Sequence, residues 1–257
     1  MRLHSELSGP EDAPVLVMGS SLGTTNTLWE PQLPVLEEFF RIVRFDHRGH
    51  GASPTDNGPF TMDDLGADVL ELLDSLDVQR FSYCGLSLGG MIGMWLAAHA
   101  PDRVDRLALC CTTANFPSAQ PWLDRAATVR ESGTAAIAEA VVGRWFTHEL
   151  AERFPDTITA YRELLSGADD NTYAAICEAI AAMDLRPVLP SIQAPTVVIA
   201  AAQDEATPPE FLRVIADAIP DAELYVVGDA AHLANVEAAD AVSVILHGYL
   251  TAAAGAR

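Results

Sequence analysis

The sequence predicts an α/β fold, a mostly parallel central sheet flanked by helices, and three observations carry that expectation. Short β-rich runs alternate with longer helical patterns, the signature of parallel strands joined by helical crossovers. Most of those β-rich runs are near-continuously apolar, as strands buried on both faces must be. One stretch, from about Phe116 to Asp184, breaks the alternation and shows only helical patterns, with Trp122, Ala-rich segments and Trp145.

In chain order, strands are expected at Val15–Met18, Arg41–Asp46, Phe81–Cys84, Leu107–Cys111, Thr196–Ala200 and Leu224–Val227. Between the second and third, Thr61–Leu76 sets Leu65, Val69, Leu72, Leu73 and Leu76 on one helical face. Thr61 followed by Asp64 has the form of a capping box at its start. Near the end, Val242, Ile245, Leu246 and Tyr249 repeat the helical spacing. Residues 1–115 and 186–257 therefore read as one core, and residues 116–185 as a helical cap inserted into it. An insertion at a strand's carboxyl end lies where open α/β sheets keep their ligand crevice, so the cap is expected to form a lid. The segment Thr251–Arg257 reads as a frayed tail.

With 257 residues, of which 17 are Gly and 16 Pro, the chain has the length and composition of one large globular domain. Lys plus Arg number 15 against 36 Asp plus Glu, a net charge of −21. Such a surface repels phosphate backbones and anionic lipid, so neither nucleic acid nor a membrane is expected as partner. Cys84, Cys110, Cys111 and Cys177 show no metal-ligand pairing and read as free thiols of a reducing compartment. The first 14 residues carry Glu6, Glu11 and Asp12 without the apolar core of a signal peptide. No apolar run approaches the ~18 residues of a membrane span. A soluble, cytoplasmic protein is the expectation; homo-oligomerisation stays open.

The sharpest chemical signal is Gly85-Leu86-Ser87-Leu88-Gly89. It follows the apolar run Phe81–Cys84 and precedes a helical run from Gly90, the strand–turn–helix context a nucleophile elbow requires. A serine hydroxyl attacks poorly unless a base takes its proton. Of the seven histidines, His4 and His99 read as exposed, His148 and His247 fall in the insertion and the last helix, and His47 and His50 organise a turn. His232, just past the strand Leu224–Val227, stands where a Ser…acid…His chain order puts the base. Asp204, past the strand Thr196–Ala200, is the candidate for the orienting carboxylate, with Glu205 a solvated neighbour. The oxyanion of an acyl-transfer intermediate needs two N–H donors, each worth ~3–4 kcal/mol. Leu88, after the nucleophile, and Leu22, in Gly19-Ser20-Ser21-Leu22-Gly23-Thr24, are the candidates.

These motifs, together with Arg44-Phe45-Asp46-His47-Arg48-Gly49-His50-Gly51-Ala52-Ser53, resemble the α/β-hydrolase superfamily. Ser21-Leu22-Gly23-Thr24, Gly85 through Met91, Arg144-Trp145-Phe146 and Ala231-His232-Leu233-Ala234-Asn235 resemble in particular its 3-oxoadipate enol-lactonases, of the β-ketoadipate pathway of aromatic catabolism. The resemblance covers nearly the whole chain. It implies an α/β-hydrolase fold and a Ser87–His232–Asp204 triad, with no metal and no organic cofactor. The implied partner is a small anionic enol-lactone, opened to 3-oxoadipate through an acyl-enzyme. Some relatives are fused to a decarboxylase; here that activity is expected from another polypeptide. A protein of −21 charge must supply a local cation for an acidic substrate. Arg144 is the candidate to pair with its carboxylate and Trp145 to wall its ring. Other readings open at this point are a small-ester carboxylesterase, a C–C bond hydrolase, a cofactor-free perhydrolase and a non-catalytic ligand receptor.

Overall fold

Alternation in the sequence becomes alternation in space. The computed structural model describes residues 2–252. Its strands are β1 (Ser5–Ser8), β2 (Val15–Gly19), β3 (Arg41–Phe45), β4 (Phe81–Leu86), β5 (Val104–Cys110), β6 (Thr196–Ala201) and β7 (Glu223–Val227). They form one sheet in the order β1-β3-β2-β4-β5-β6-β7. Every pairing is parallel except that of β1 with β3. The helices are α1 (Leu33–Leu36), α2 (Met62–Ser75), α3 (Leu88–His99), α4 (Gln120–Ser132), α5 (Ala135–Val142) and α6 (His148–Arg153). They continue as α7 (Pro155–Ser166), α8 (Asp170–Ala182), α9 (Pro209–Ala218), α10 (Ala234–Glu237) and α11 (Ala239–Leu250).

All six expected strands are present, each within three residues of its expected bounds. The unexpected one is β1, whose sequence Ser-Glu-Leu-Ser is too short and polar to read as a strand. It forms because the open edge of β3 offers it a ladder. The capping box of α2 is also present: Asp64 N–H donates to Thr61 Oγ1 and Thr61 N–H to Asp64 Oδ2. Of the expected tail, Thr251 instead closes α11, its N–H and hydroxyl both donating to the His247 carbonyl. Residues 253–257 lie outside the described residues. The helices α4–α8 separate β5 from β6, and an isolated antiparallel bridge, Asn115–Asp184, joins the two ends of that insertion.

Two close approaches fix the carboxyl ends of the central strands. At the first, Ser87 leaves β4 with φ +55° and ψ −114°, a strained left-handed conformation. The chain then doubles back so tightly that Gly89 N–H donates to the Ser20 carbonyl at 3.0 Å. A Cβ on Gly89 would strike the Gly19 carbonyl. At the second, the loop after β3 is buried against the loop after β2. Asp46 accepts from the N–H of Asn26 (2.7 Å) and Ala52 (3.0 Å), while the Arg48 side chain pairs with Asp68 of α2 and lies over Phe60. His47 and His50 are both buried in this loop, which pushes both pKa values down, that of His47 from 6.5 to about 4.

Two outcomes follow from this packing. Gly89→Ala should lower the unfolding free energy by about 2–4 kcal/mol, read from urea denaturation, because the Gly19 backbone cannot retreat without dismantling β2. Stability should also depend on pH through His47. The folded protein keeps its ring neutral while the unfolded chain protonates it, so the contribution is complete above pH 6.5 and is lost as the pH falls toward 4. For His47 alone the loss is about 3 kcal/mol, read as a falling urea midpoint between those two pH values.

Candidate active site

Ser87, Asp204 and His232 leave the carboxyl ends of β4, β6 and β7, and the sheet order brings those three ends to one side of the molecule. All three residues are buried. His232 Nδ1 lies 2.8 Å from Asp204 Oδ2. A carboxylate can only accept, so the proton sits on Nδ1 and leaves Nε2 free to act as base. Asp204 also accepts from Ala206 N–H (2.8 Å), Thr207 N–H (2.9 Å) and the Thr207 hydroxyl (2.7 Å). Burial works to raise its pKa, yet His232 and the Thr207 hydrogen bonds outweigh burial and hold it below the ordinary value. The carboxylate therefore stays ionised and fixed, while Glu205 is exposed and its charge favours the protonated form of Arg144. Ser87 and His232 line one cavity without a direct hydrogen bond between them. Such bonds commonly tighten only around a substrate.

Leu22 lines the same cavity, and Leu88 follows Ser87 at the first position of α3. Among the described residues neither spends its backbone N–H on an acceptor, whereas the neighbouring N–H groups of Ser87, Gly89, Gly23 and Thr24 are all engaged. Two free donors beside a buried serine are what an oxyanion requires.

The cavity measures about 260 Å³ and is roofed by the helical insertion through Trp122, Arg125, Val141, Arg144 and Trp145. Arg144 and Trp145 are where the sequence placed a carboxylate partner and a ring wall. Arg125 was not anticipated. Its guanidinium stacks on the Trp122 ring at 4.4 Å. Among the described residues neither Arg125 nor Arg144 has a carboxylate within salt-bridge distance. Burial and then the charge of Arg125 lower the pKa of Arg144. Two mutually repelling guanidinium groups without a carboxylate partner, in one cavity of a strongly acidic protein, have the chemistry to attract an anion.

The insertion is also stitched to the base. Leu233 N–H donates to the Trp145 carbonyl at 2.9 Å. Glu237 accepts from Ala231 N–H at 2.9 Å and from both the N–H and the hydroxyl of Thr147. Residues either side of His232 are thus tied to residues just after Arg144. Sequence reading missed Arg125, Thr207 and Glu237. Only Arg125 had a local signal, three residues beyond Trp122 on a helix, where the two side chains share a face. Among the described residues no group of three or more His, Cys, Asp or Glu side chains is placed to hold a metal ion, and no helix is long and apolar enough to cross a membrane.

Comparison with known proteins agrees with this architecture. A family model described as the alpha/beta hydrolase fold matches residues 14–239. The 3-oxoadipate enol-lactonase 2 of Acinetobacter baylyi is 38% identical over 229 residues, which span 89% of this chain and 85% of that protein. A Stutzerimonas stutzeri protein named for carbamate hydrolysis is 30% identical over 275 residues, spanning 98% of each. The crystal structure of the enol-lactonase from Burkholderia xenovorans superposes with a TM-score of 0.95 at 42% identity, covering 97% of this chain and 96% of that one. The chain belongs to the 3-oxoadipate enol-lactonase family of the α/β hydrolases and is a hydrolase of carboxylic ester bonds.

Proposed function

We propose that the protein opens 3-oxoadipate enol-lactone to 3-oxoadipate by serine catalysis beneath the helical insertion, which acts as a lid. The observation that carries this reading is the pair of unpaired arginines, Arg125 and Arg144, in the cavity that also holds Ser87 and His232. A neutral ester would have no use for two half-buried cations that lack a carboxylate partner, whereas a lactone bearing a carboxylate arm satisfies them. The identities to enol-lactonases support the same choice.

In the proposed sequence the substrate carboxylate lies against Arg144 and Arg125, and Trp145 walls its ring. Ser87 Oγ attacks the lactone carbonyl carbon while His232 Nε2 takes the hydroxyl proton. Asp204 stabilises the imidazolium through Nδ1–H, and the N–H groups of Leu22 and Leu88 hold the tetrahedral oxyanion. Collapse breaks the ring C–O bond. The leaving enolate takes the proton from His232, and the resulting enol tautomerises to a ketone. Water then gives a proton to His232 Nε2 and attacks the acyl carbon. Collapse of the second intermediate returns that proton to Ser87 Oγ and frees the second carboxylate. The net change is lactone plus water to 3-oxoadipate and a proton.

The decisive measurement follows loss of the enol-lactone's ultraviolet absorbance, with the lactone generated in situ. Wild type should show kcat/KM for the lactone at least ~100-fold above that for p-nitrophenyl acetate, and Ser87→Ala should lose ~10³-fold or more on both. The carbamate-named relative supplies the competing reading. Faster turnover of a carbamate than of the lactone would overturn the lactonase assignment. The arginines supply a separate test. Arg144→Ala and Arg125→Ala should each lower kcat/KM for the lactone by about 10–100-fold, equivalent to a charged hydrogen bond of about 1.5–3 kcal/mol, and leave p-nitrophenyl acetate nearly unchanged.

A further inference from the structure

The two buried histidines after β3 are not spent on the triad, yet both reach the loop that carries Leu22. His47 Nε2 lies 2.8 Å from the Ser20 carbonyl. A carbonyl can only accept, so His47 donates. His50 does the reverse: its Nε2 accepts the Gly23 N–H at 2.9 Å, and its Nδ1–H donates to the Arg48 carbonyl at 2.9 Å. Ser20 and Gly23 flank the pair Ser21-Leu22. From this geometry we infer that His50, together with His47, is a positioning residue of the oxyanion hole, holding the Leu22 N–H on the reacting centre through the backbone either side of it.

Three further observations bear on this. Gly23 has φ +86°, so its peptide needs a partner that holds an orientation most residues avoid. An acceptor role for Nε2 exists only in the neutral ring with the proton on Nδ1, and the Arg48 carbonyl selects that tautomer. Asp46 and Asp169 work to protonate His50, but burial outweighs them and lowers its pKa, so the ring remains an acceptor. Tyr173 of α8 lies beside it, ring centres 6.2 Å apart, and bars the ring from swinging away. A nitrogen acceptor in place of water is thus built into a buried turn whose other duty is to aim a backbone donor. Donors must sit within a few tenths of an ångström of the oxyanion to be effective, so such a strut acts on the transition state more than on the bound substrate.

The inference rests on Leu22 being an oxyanion donor and is independent of which ester is the substrate, so p-nitrophenyl acetate serves for its test. Two amide variants separate the roles. Glutamine places Oε1 near the position of Nε2 and can still accept from Gly23. Asparagine reaches only the position of Nδ1, keeping the bond to Arg48 while leaving the Gly23 N–H without a partner. His50→Asn should lower kcat by about tenfold or more with KM little changed, a part of the ~10²–10³-fold that loss of a whole donor costs. His50→Gln should recover most of that loss. A trifluoromethyl ketone, whose hemiketal oxyanion occupies the hole, should weaken in the same ratio as kcat. Equal kcat for the two variants, or a loss that appears only in KM, would overturn the inference. If His50→Asn does not fold, NMR of the wild-type protein decides: a scalar coupling between the Gly23 amide nitrogen and His50 Nε2 supports the strut, and a protonated Nε2 in the neutral ring refutes it. Should wild type hydrolyse the nitrophenyl ester but not the enol-lactone, the substrate assignment falls and this inference stands.

Discussion

One carbonyl oxygen ties the catalytic machinery together. Ser20 C=O accepts the Gly89 N–H from the elbow and the His47 ring N–H from the loop after β3. Three segments far apart in sequence meet at that atom, and under the proposed mechanism they carry the nucleophile turn, the oxyanion loop and the histidine pair. Both donors are buried, where an unmade hydrogen bond costs its full desolvation. The close approach is possible only because Gly89 lacks a side chain. Strain at Ser87, with its positive φ, is stored against this junction and not against solvent.

Electrostatics divide the molecule in two. Over the whole chain, 36 acidic residues outnumber 15 basic ones. Several arginines are spent on carboxylates, as Arg48 is on Asp68, Arg130 on Glu178 and Arg162 on Glu139. Arg125 and Arg144 are left facing the cavity without such partners, and mutual repulsion raises the cost of keeping them there. A fold bears that cost where a ligand repays it, since a desolvated anion between two fixed guanidinium groups gains the most from low dielectric surroundings. Under the proposed function, the long-range field disfavours the acidic substrate and the local one attracts it.

Legibility in the sequence followed the range of the interactions concerned. Ser87, Asp204 and His232 could be named because each sits at a strand end marked by a local apolar run, and the order of strand ends is itself a sequence property. The same logic found the capping box of α2. β1 escaped because Ser5–Ser8 has no strand character apart from the edge it completes. Thr207 carries no local mark of its role, although its hydroxyl and N–H are half of what fixes Asp204. The histidines of Asp46-His47-Arg48-Gly49-His50 read from the sequence as organisers of a turn. What they organise lies 27 residues upstream, and no local pattern records that distance.

The stitching of the insertion to the base shows why substrate-binding and proton-transfer residues cannot be treated as separate parts. Glu237 holds Ala231 with one oxygen and Thr147 with both, and Leu233 N–H closes the circuit on the Trp145 carbonyl. The segment Arg144–Thr147 and the segment Ala231–Leu233 are therefore one mechanical unit, although one belongs to the insertion and the other to the core. Displacing the roof at Trp145 must either break several part-buried hydrogen bonds or carry His232 along with it. Among the described residues the wall formed by Phe116, Pro117 and Trp122 has no such hydrogen bond to the His232 segment. If the roof yields anywhere to admit a ligand, the physics favours that side, because opening there leaves the Asp204–His232 geometry intact throughout.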